Sequence, residues 1–474
     1  MKTVKKALCA LLCLILLAGT AGCFGGKRQT GGDEKYDDID PNIKLSLTFK
    51  HMWPEHEDVV KSLIAGFNKK FPNVTVTPSV TPYTQILQVL QASYISGELP
   101  NVYVYFTHYM TPMVSASDGV MAGTLNSLRN DIIGDFIQPD AWELGNIKGK
   151  YYSVPLRANG MVVFYNKTLF AEKGWTKPDT FQDFEALLKV ISRTTGLTPL
   201  AAGGRDAQIT YLTNALGLFT GILDGSVEEP GYAVSRLKPD DVDTDDTAVL
   251  IYEKIRKWYE ADFFGKNAIA VSATGSTMEF TGRRAAMVFA SNNGIGDIAP
   301  LMPNDEIGVF AIPAPAVISD TVKYAYGGYE GLSYNPTASE DHIKVSLQFI
   351  KYLAGKEAQQ IMADRAQSVI VNKDVVYHSA TLQAFANELK YVGAYTMGSD
   401  YITGTHSAGN EGIVSMYIAG LSTLSAKQVI RQINDNVYAD MQDPLINDPT
   451  VDWYPRQNEK KSFDRAWLYT NLDG

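Results

Sequence analysis

The stretch KLSLTFKHMWPEHEDVVKSLIAGFNKKFPNVTV, Lys44 to Val76, passes from strand to helix and back to strand. Lys44 to Lys50 alternates apolar and polar residues with period two. Val59, Val60, Leu63, Ile64 and Phe67 then recur at helical spacing until Pro72 stops the run. Val74 to Val80 reads as a second strand, Gln85 to Tyr94 as a helix, and Val102 to Phe106 (VYVYF) as a third strand. Parallel neighbours need crossover connections, and helices fill them, so a β-α-β-α-β run implies a parallel sheet and an α/β fold. Ligands of such sheets bind beyond the carboxyl ends of the strands. That directs attention to the loops His51 to Glu55 and Thr107 to Met110.

Further along, Gly149 to Trp175 (GKYYSVPLRANGMVVFYNKTLFAEKGW) reads as two extended stretches around Arg157-Ala158-Asn159-Gly160 that lead into a helix. Thr180 with Asp183 is a capping box opening a helix through Ile191, and Ser425 with Gln428 opens another through Asp440. Thr247 to Glu260 carries a core-facing stripe of Leu250, Ile251, Ile255 and Trp258. Thr281 to Ala290 reads as a buried strand ending at Ser291-Asn292-Asn293, and Tyr324 to Asn335 as another strand. A helix from Glu340 to Ala354 is closed by Gly355. Glu228 to Asp246 is an Asp-rich surface loop, and no internal repeat is evident.

The chain has 474 residues with a formal net charge of -10. Its acidic balance argues against a nucleic-acid partner, since phosphate affinity needs clustered Lys and Arg. All three cysteines, Cys9, Cys13 and Cys23, lie at the N-terminus, so the body of the protein has no disulfide framework. Lys2, Lys5 and Lys6, the apolar run Ala7 to Ala18 and the small residues before Cys23 read as a secretory leader over residues 1–22. Ala21-Gly22-Cys23 resembles the lipobox of bacterial lipoproteins, although Thr20 stands where that pattern usually has Leu. The resemblance implies a cysteine carrying palmitate-type acyl chains, and losing the leader's three lysines would take the charge from -10 to -13. Residues 23–42 are Gly-rich and charged, a tether reaching on the order of 24 Å. The protein is therefore expected outside the cytoplasm, held at the cell membrane through Cys23.

Five segments in order resemble the extracellular solute-binding proteins of ABC importers, in the carbohydrate-binding group that includes maltose- and multiple-sugar-binding proteins. They are LSLTFKHMW to FNKKFPNVTV, ELPNVYVYF, GKYYSVPLRANGMVVFYNKTLF with PDTFQDFEALLKVI, FTGRRAAMVFASNNG, and YGGYEGLSYNPTASEDHIKVSLQFIKYLAGKEAQQIMA. Together they span about Lys44 to about Tyr438. The resemblance implies a two-lobed periplasmic-binding-protein-like fold with a ligand cleft between lobes joined by hinge strands. It places crossings near Leu156 to Met161, Arg284 to Met287 and Gly331 to Asn335. The expected N-terminal lobe is 43–158 with 284–332, and the C-terminal lobe 159–283 with 333–474. It also implies a carbohydrate ligand, an ABC permease as partner and a monomer, with no cofactor and no metal. Tyr391 to Gly412 matches no family motif.

A sugar offers hydroxyls and apolar C–H faces, so its receptor needs planar polar groups and aromatic platforms. The strand-end loops supply His51, Trp53 and Glu55, then Thr107, His108 and Tyr109. Arg157 and Asn159 lie at the first crossing, Asp206 follows a Gly pair, Asn292 and Asn293 end the buried strand, and Tyr329 with Glu330 follows Gly327-Gly328. Each could instead be ordinary packing or a turn. Glu330 stands out because a carboxylate in an apolar, Gly-rich strand end costs desolvation unless it is paired.

Enzyme signatures are missing: there is no G-x-S-x-G, no H-E-x-x-H, and Ala299 stands where a dinucleotide fingerprint needs its third glycine. Three minor readings stay open. A glycosidase could use Glu55 and Glu330 if they flank a bond. A metal receptor could use His51, Glu55 and His108. A receptor that presents its ligand to a sensor partner and transports nothing is the third.

Overall fold

The computed structural model describes residues 39–82, 85–107, 110, 113, 121–130, 134, 136–137, 141–142, 146–147, 150–213, 216, 247–291, 294–313, 323–366, 368–388, 392–394 and 407–441. The leader, the tether up to 38 and the 228–246 loop lie outside them. So do Tyr391 and residues 395–406 of the Gly-rich 391–412 stretch.

Strand β1 (Leu45–His51) runs parallel to β2 (Val74–Val80) through helix α1 (Glu57–Lys70), and α2 (Ile86–Ile95) leads to β3 (Val102–Phe106), which lies on the other side of β1. This is the crossover arrangement read from Lys44 to Phe106. Phe49, Phe67 and Phe349 meet edge to face at 5.3 and 4.9 Å, and each fully buried Phe contributes about 1.5–3 kcal/mol.

After α3 (Asn126–Asn130) and the small hairpin β4 (Asn146–Ile147) and β5 (Lys150–Tyr151), the chain enters β6 (Val154–Asn166), a single strand of 13 residues. The two extended stretches expected around Arg157 to Gly160 are thus one strand. Its continuity comes from an antiparallel ladder that no local pattern reveals. Asn166 caps α4 (Lys167–Lys173), accepting from the Leu169 amide at 2.8 Å, and Gly174 ends it with a left-handed φ of 69°. Thr180 caps α5 (Phe181–Ser192) by accepting from the Asp183 amide.

β7 (Thr198–Ala201) follows. Next come α6 (Thr247–Glu260), α7 (Ala273–Thr281), β8 (Ala285–Ser291), α8 (Ile295–Leu301), β9 (Ile307–Phe310) and β10 (Ile312–Pro313). β8 starts later than the expected Thr281, because Thr281 closes α7 and Arg283 turns the chain at φ 56°. On α6, Ile251, Ile255 and Trp258 are buried while Leu250 is 53% exposed, so the stripe is narrower than read.

β11 (Lys323–Tyr334) leads to α9 (Glu340–Ala354), α10 (Lys356–Arg365) and α11 (Ala380–Glu388). β12 (Val392–Ala394), α12 (Ser407–Ile418) and α13 (Ala426–Met441) complete the described chain. Gln428 closes the capping box read from the sequence by accepting from the Ser425 amide at 2.8 Å.

Among the described residues ten strands share one sheet, in the central order β2-β1-β3-β11-β6-β8-β7. The long strands β6 and β11 belong to both of its halves. The lower part of β6 lies between β11 and the segment 369–371, which bonds through Ala158 N to Val369 O and Val371 N to Leu156 O. The upper part lies between β8 and β9.

β6 and β11 thus change neighbours partway along their length. Near Arg284 to Met287, where a further crossing is expected, β8 is flanked by β7 and β6. The sequence reading groups 284–332 with the N-terminal lobe, yet Met287, Phe289 and Phe310 pack in one core with Phe184, Leu200 and Trp258. It groups 333–474 with the C-terminal lobe, yet α9 and α10 pack on α1, with α9 also against β1.

The ladder between β6 and β11 shifts register between Glu330 and Gly331. A Cβ at Gly331 would land on Ser153 Oγ, Thr107 Oγ1 and the Val154 carbonyl. Overpacking of this kind costs about 1–3 kcal/mol. Gly331→Ala should lower the urea midpoint accordingly without changing the m-value, whereas Gly97→Ala, where nothing lies within 4 Å of the added Cβ, gives the comparison for backbone strain alone.

Candidate functional site

Two sets of strand ends point at each other. β3 ends at Phe106, which pairs with Glu330, itself paired with Arg157. β8 runs the opposite way along β6 and ends at Ser291, opposite Met161. Along β6 these ends are separated by four residues, about 13 Å at ~3.3 Å per residue. Loops after β1 and β3 on one side, and after β7 and β8 on the other, therefore border a common gap. Its floor is the short ladder in which Ala158, Asn159 and Gly160 pair with Tyr329, Gly328 and Gly327.

The expected site residues distribute unequally around this gap. Asn159 and Tyr329 are in the floor, with Tyr329 largely buried. Thr107 is buried at the end of β3, its Oγ1 3.4 Å from Ser153 Oγ. Glu55 lies in the short 3-10 turn Pro54–His56 beyond β1. Asp206, after β7, is exposed: its Oδ2 accepts from the Ala273 amide at 2.7 Å, tying the β7 loop to the start of α7. His108, Tyr109, Asn292 and Asn293 fall outside the described residues.

Trp53, Arg157 and Glu330 form a buried cluster, each 3% exposed or less. Arg157 donates from Nε to Glu330 Oε2 at 2.8 Å and from Nη2 to Oε1 at 3.1 Å, a bidentate fork. Trp53 Nε1 donates to Oε2 at 2.6 Å, and the guanidinium carbon lies 5.0 Å from the Trp53 ring centroid. Arg157 Nη1 also donates to Ser368 Oγ at 3.2 Å. The sequence reading makes Trp53 a stacking platform and Glu330 a hydroxyl acceptor. Here the ring is covered by Arg157 and the carboxylate accepts three protein hydrogen bonds. Ser368 had no signal in the sequence, because its role depends on a segment returning to β6 from more than 200 residues away.

His51 is buried beside this cluster. Its Nδ1 accepts from the Trp53 amide at 3.3 Å, and its ring lies 5.6 Å from those of Phe49 and Trp53. Burial, followed by the positive charges of Arg157 and Lys50, pushes its pKa down to about 4. The ring is neutral at physiological pH.

Comparison with known proteins agrees with this geometry. A family profile for bacterial extracellular solute-binding proteins matches residues 62–387. The chain belongs to that family. A multiple sugar-binding protein of Streptococcus mutans is 25% identical over 339 residues, covering 70% of this chain and 76% of that one.

Among solved structures, RafE from Streptococcus pneumoniae superposes with a TM-score of 0.68 at 20% identity, over 84% of this chain and all of that one. Maltose-bound MalE3 of T. maritima gives 0.67 at 16% identity, over 83% and 99%. The fold is the two-lobed periplasmic-binding-protein type, an α/β architecture with its cleft between lobes. Solute-binding proteins bind and release rather than transform, so this protein is not an enzyme.

For His51, the folded-state pKa lies below the unfolded value of 6.5, so the unfolded chain binds the proton more readily. Its contribution is full above pH 6.5 and is lost as pH falls toward about 4, by up to about 3 kcal/mol. Denaturant titrations at pH 7 and pH 4.5 should show that His51→Gln loses much less stability on acidification than the unmodified protein. Equal losses would mean that other groups carry the acid response.

Proposed function

We propose that this protein is the substrate-binding component of an ABC importer, capturing a mono- or oligosaccharide between its lobes and handing it to the permease. The observation that carries this reading is the floor of the gap: a Gly-rich two-strand ladder carrying Asn159 and Tyr329, bordered by strand-end loops rich in amides, hydroxyls and aromatics. Neutral polar groups and an aromatic ring suit a ligand with hydroxyls and C–H faces. The family relatives support the choice, since those compared include a multiple sugar-binding protein and structures holding raffinose and maltose. Asn159, Tyr329, Thr107 and the loops holding Glu55, His108, Tyr109, Asp206, Asn292 and Asn293 are the proposed ligand contacts.

The lobes divide, on this reading, where the ladders change partners. The first comprises residues 43–158 with about 330–377, and the second residues 159–313 with about 323–329 and 380–441. One chain supplies both walls of the cleft, so a monomer suffices. Closure reshapes the lobe rims, and the permease reads that shape.

The N-terminal sequence supports attachment outside the cytoplasm by lipid on Cys23, with residues 23–42 as spacer. Among the described residues no helix is long and apolar enough to cross a membrane.

Calorimetric titration against a panel of sugars should give saturable heat with at least one. Heat only with zinc or a peptide would sink the carbohydrate reading, and new reducing ends on incubation with an oligosaccharide would revive the hydrolase. In cell fractionation, Cys23→Ser should move the protein out of the membrane fraction, and retention there would point to an uncleaved leader.

A further inference from the structure

The sheet narrows sharply at the gap. On one edge of β6 the ladder with β8 stops at Met161 and the bonds to 369–371 stop at Ala158. On the outer edge of β11 the ladder with β12 stops at Gly327 and that with β3 stops at Glu330. Between these limits, among the described residues, the ladder joining the two halves is carried by β6 and β11 over residues 158–160 and 327–329, of which the end members Ala158 and Gly327 still meet Val369 and Ala394. Three of those six residues are glycines, Gly160, Gly327 and Gly328, whose backbones adopt many conformations at little steric cost. Hinges are short segments that absorb large φ/ψ changes, and this neck has that character.

The first residue pair below the neck is Arg157 with Glu330, and it is held from several directions. Glu330 is bound by Trp53 from the β1 loop, and Arg157 by Ser368 and by the bridge to Ile370. A bidentate fork fixes geometry as well as distance. A pair so buried cannot exchange its partners for water without a large desolvation cost. The first pair above the neck, Met161 with Tyr326, carries no charge. The anchoring is therefore one-sided.

We propose that Arg157 and Glu330 are positioning residues that clamp the lower end of the neck to the first lobe, confine bending to residues 158–160 and 327–329, and make no contact with the ligand. The clamp keeps Asn159 and Tyr329 in register with the first lobe while the second lobe swings. Its effect on affinity is indirect, through the range of lobe orientations sampled before ligand arrives. The proposal rests on the reading that solute is captured between the lobes.

The chain's three cysteines can all be replaced by serine, leaving thiols only at Lys61→Cys on α1 and Lys173→Cys on α4 for a donor and acceptor dye. Single-molecule energy transfer on the full chain then reports interlobe distance, with and without the tightest-binding sugar of the panel. Glu330→Gln keeps the size and one acceptor oxygen, which can still take the Trp53 Nε1 and Arg157 Nε hydrogen bonds, but it sets an amide NH2 against Arg157 Nη2 and removes the charge. It should broaden the ligand-free distance distribution and weaken sugar binding about tenfold, mainly by slowing association. Arg157→Lys, which keeps the charge but loses the fork, should give a smaller shift in the same direction, and it carries the comparison if Glu330→Gln does not fold.

A lowered melting temperature with unchanged distance distribution and affinity would make the pair merely structural and overturn the proposal. Lost affinity with an unchanged distribution would make it a direct ligand contact and overturn it equally. If the unmodified chain responds to no sugar, the carbohydrate reading fails, while the ligand-free distributions still decide the clamp.

Discussion

The antiparallel ladder between β6 and β11 is the constraint on which the rest of the molecule depends. Each strand is long enough to serve two halves of the sheet, and each changes its outer partner partway along. β6 passes from segment 369–371 to β8, and β11 from β12 to β3. Because the two strands are antiparallel, their neighbours arrive from opposite directions. β3 and β8 consequently stop with their carboxyl ends aimed at the same few residues. The cleft is a product of strand direction and register before any side chain is considered.

The buried ion pair lies at the point where that ladder leaves the first half. Two charges removed from water repay their desolvation only with close geometry and further hydrogen bonds, and removing one partner alone typically costs about 3–5 kcal/mol. Arg157 and Glu330 meet those conditions through the fork, the indole N–H and the serine hydroxyl. Burial first, and the positive charge of Arg157 second, keep His51 alongside neutral. The polar groups of this cluster are thus satisfied by one another.

Much of the secondary structure was legible because its determinants are local. Thr180 with Asp183 and Ser425 with Gln428 cap the helices their spacing implied, and Gly355 follows the last residue of α9. The first β-α-β-α-β run was readable for the same reason: period and punctuation lie within a few residues of one another. Errors arose where long-range pairing overrode local pattern. Arg157 to Gly160 looked like a break between two stretches and is the middle of one strand. Leu250 fits a helical stripe but faces solvent because the core it would join covers a narrower arc of α6. Gly327 and Gly328 lie in the ladder opposite Gly160 and Asn159, whereas residue type alone does not reveal that Trp53, Arg157 and Glu330 are one another's partners.

Sequence alone determined the α/β class, the order of most elements, the acidic cysteine-free body and which loops follow the strand ends. These follow from periodicity, capping and composition, which are properties of neighbouring residues. Only the tertiary structure decided which polar side chains are spent on one another. Trp53 and Glu330 are 277 residues apart in the chain, and Arg157 and Glu330 are 173 apart. Their hydrogen bonds depend on the register of two strands whose contact no local pattern encodes. A carboxylate's role is set by what lies within 3 Å of it, and that distance is fixed by the fold.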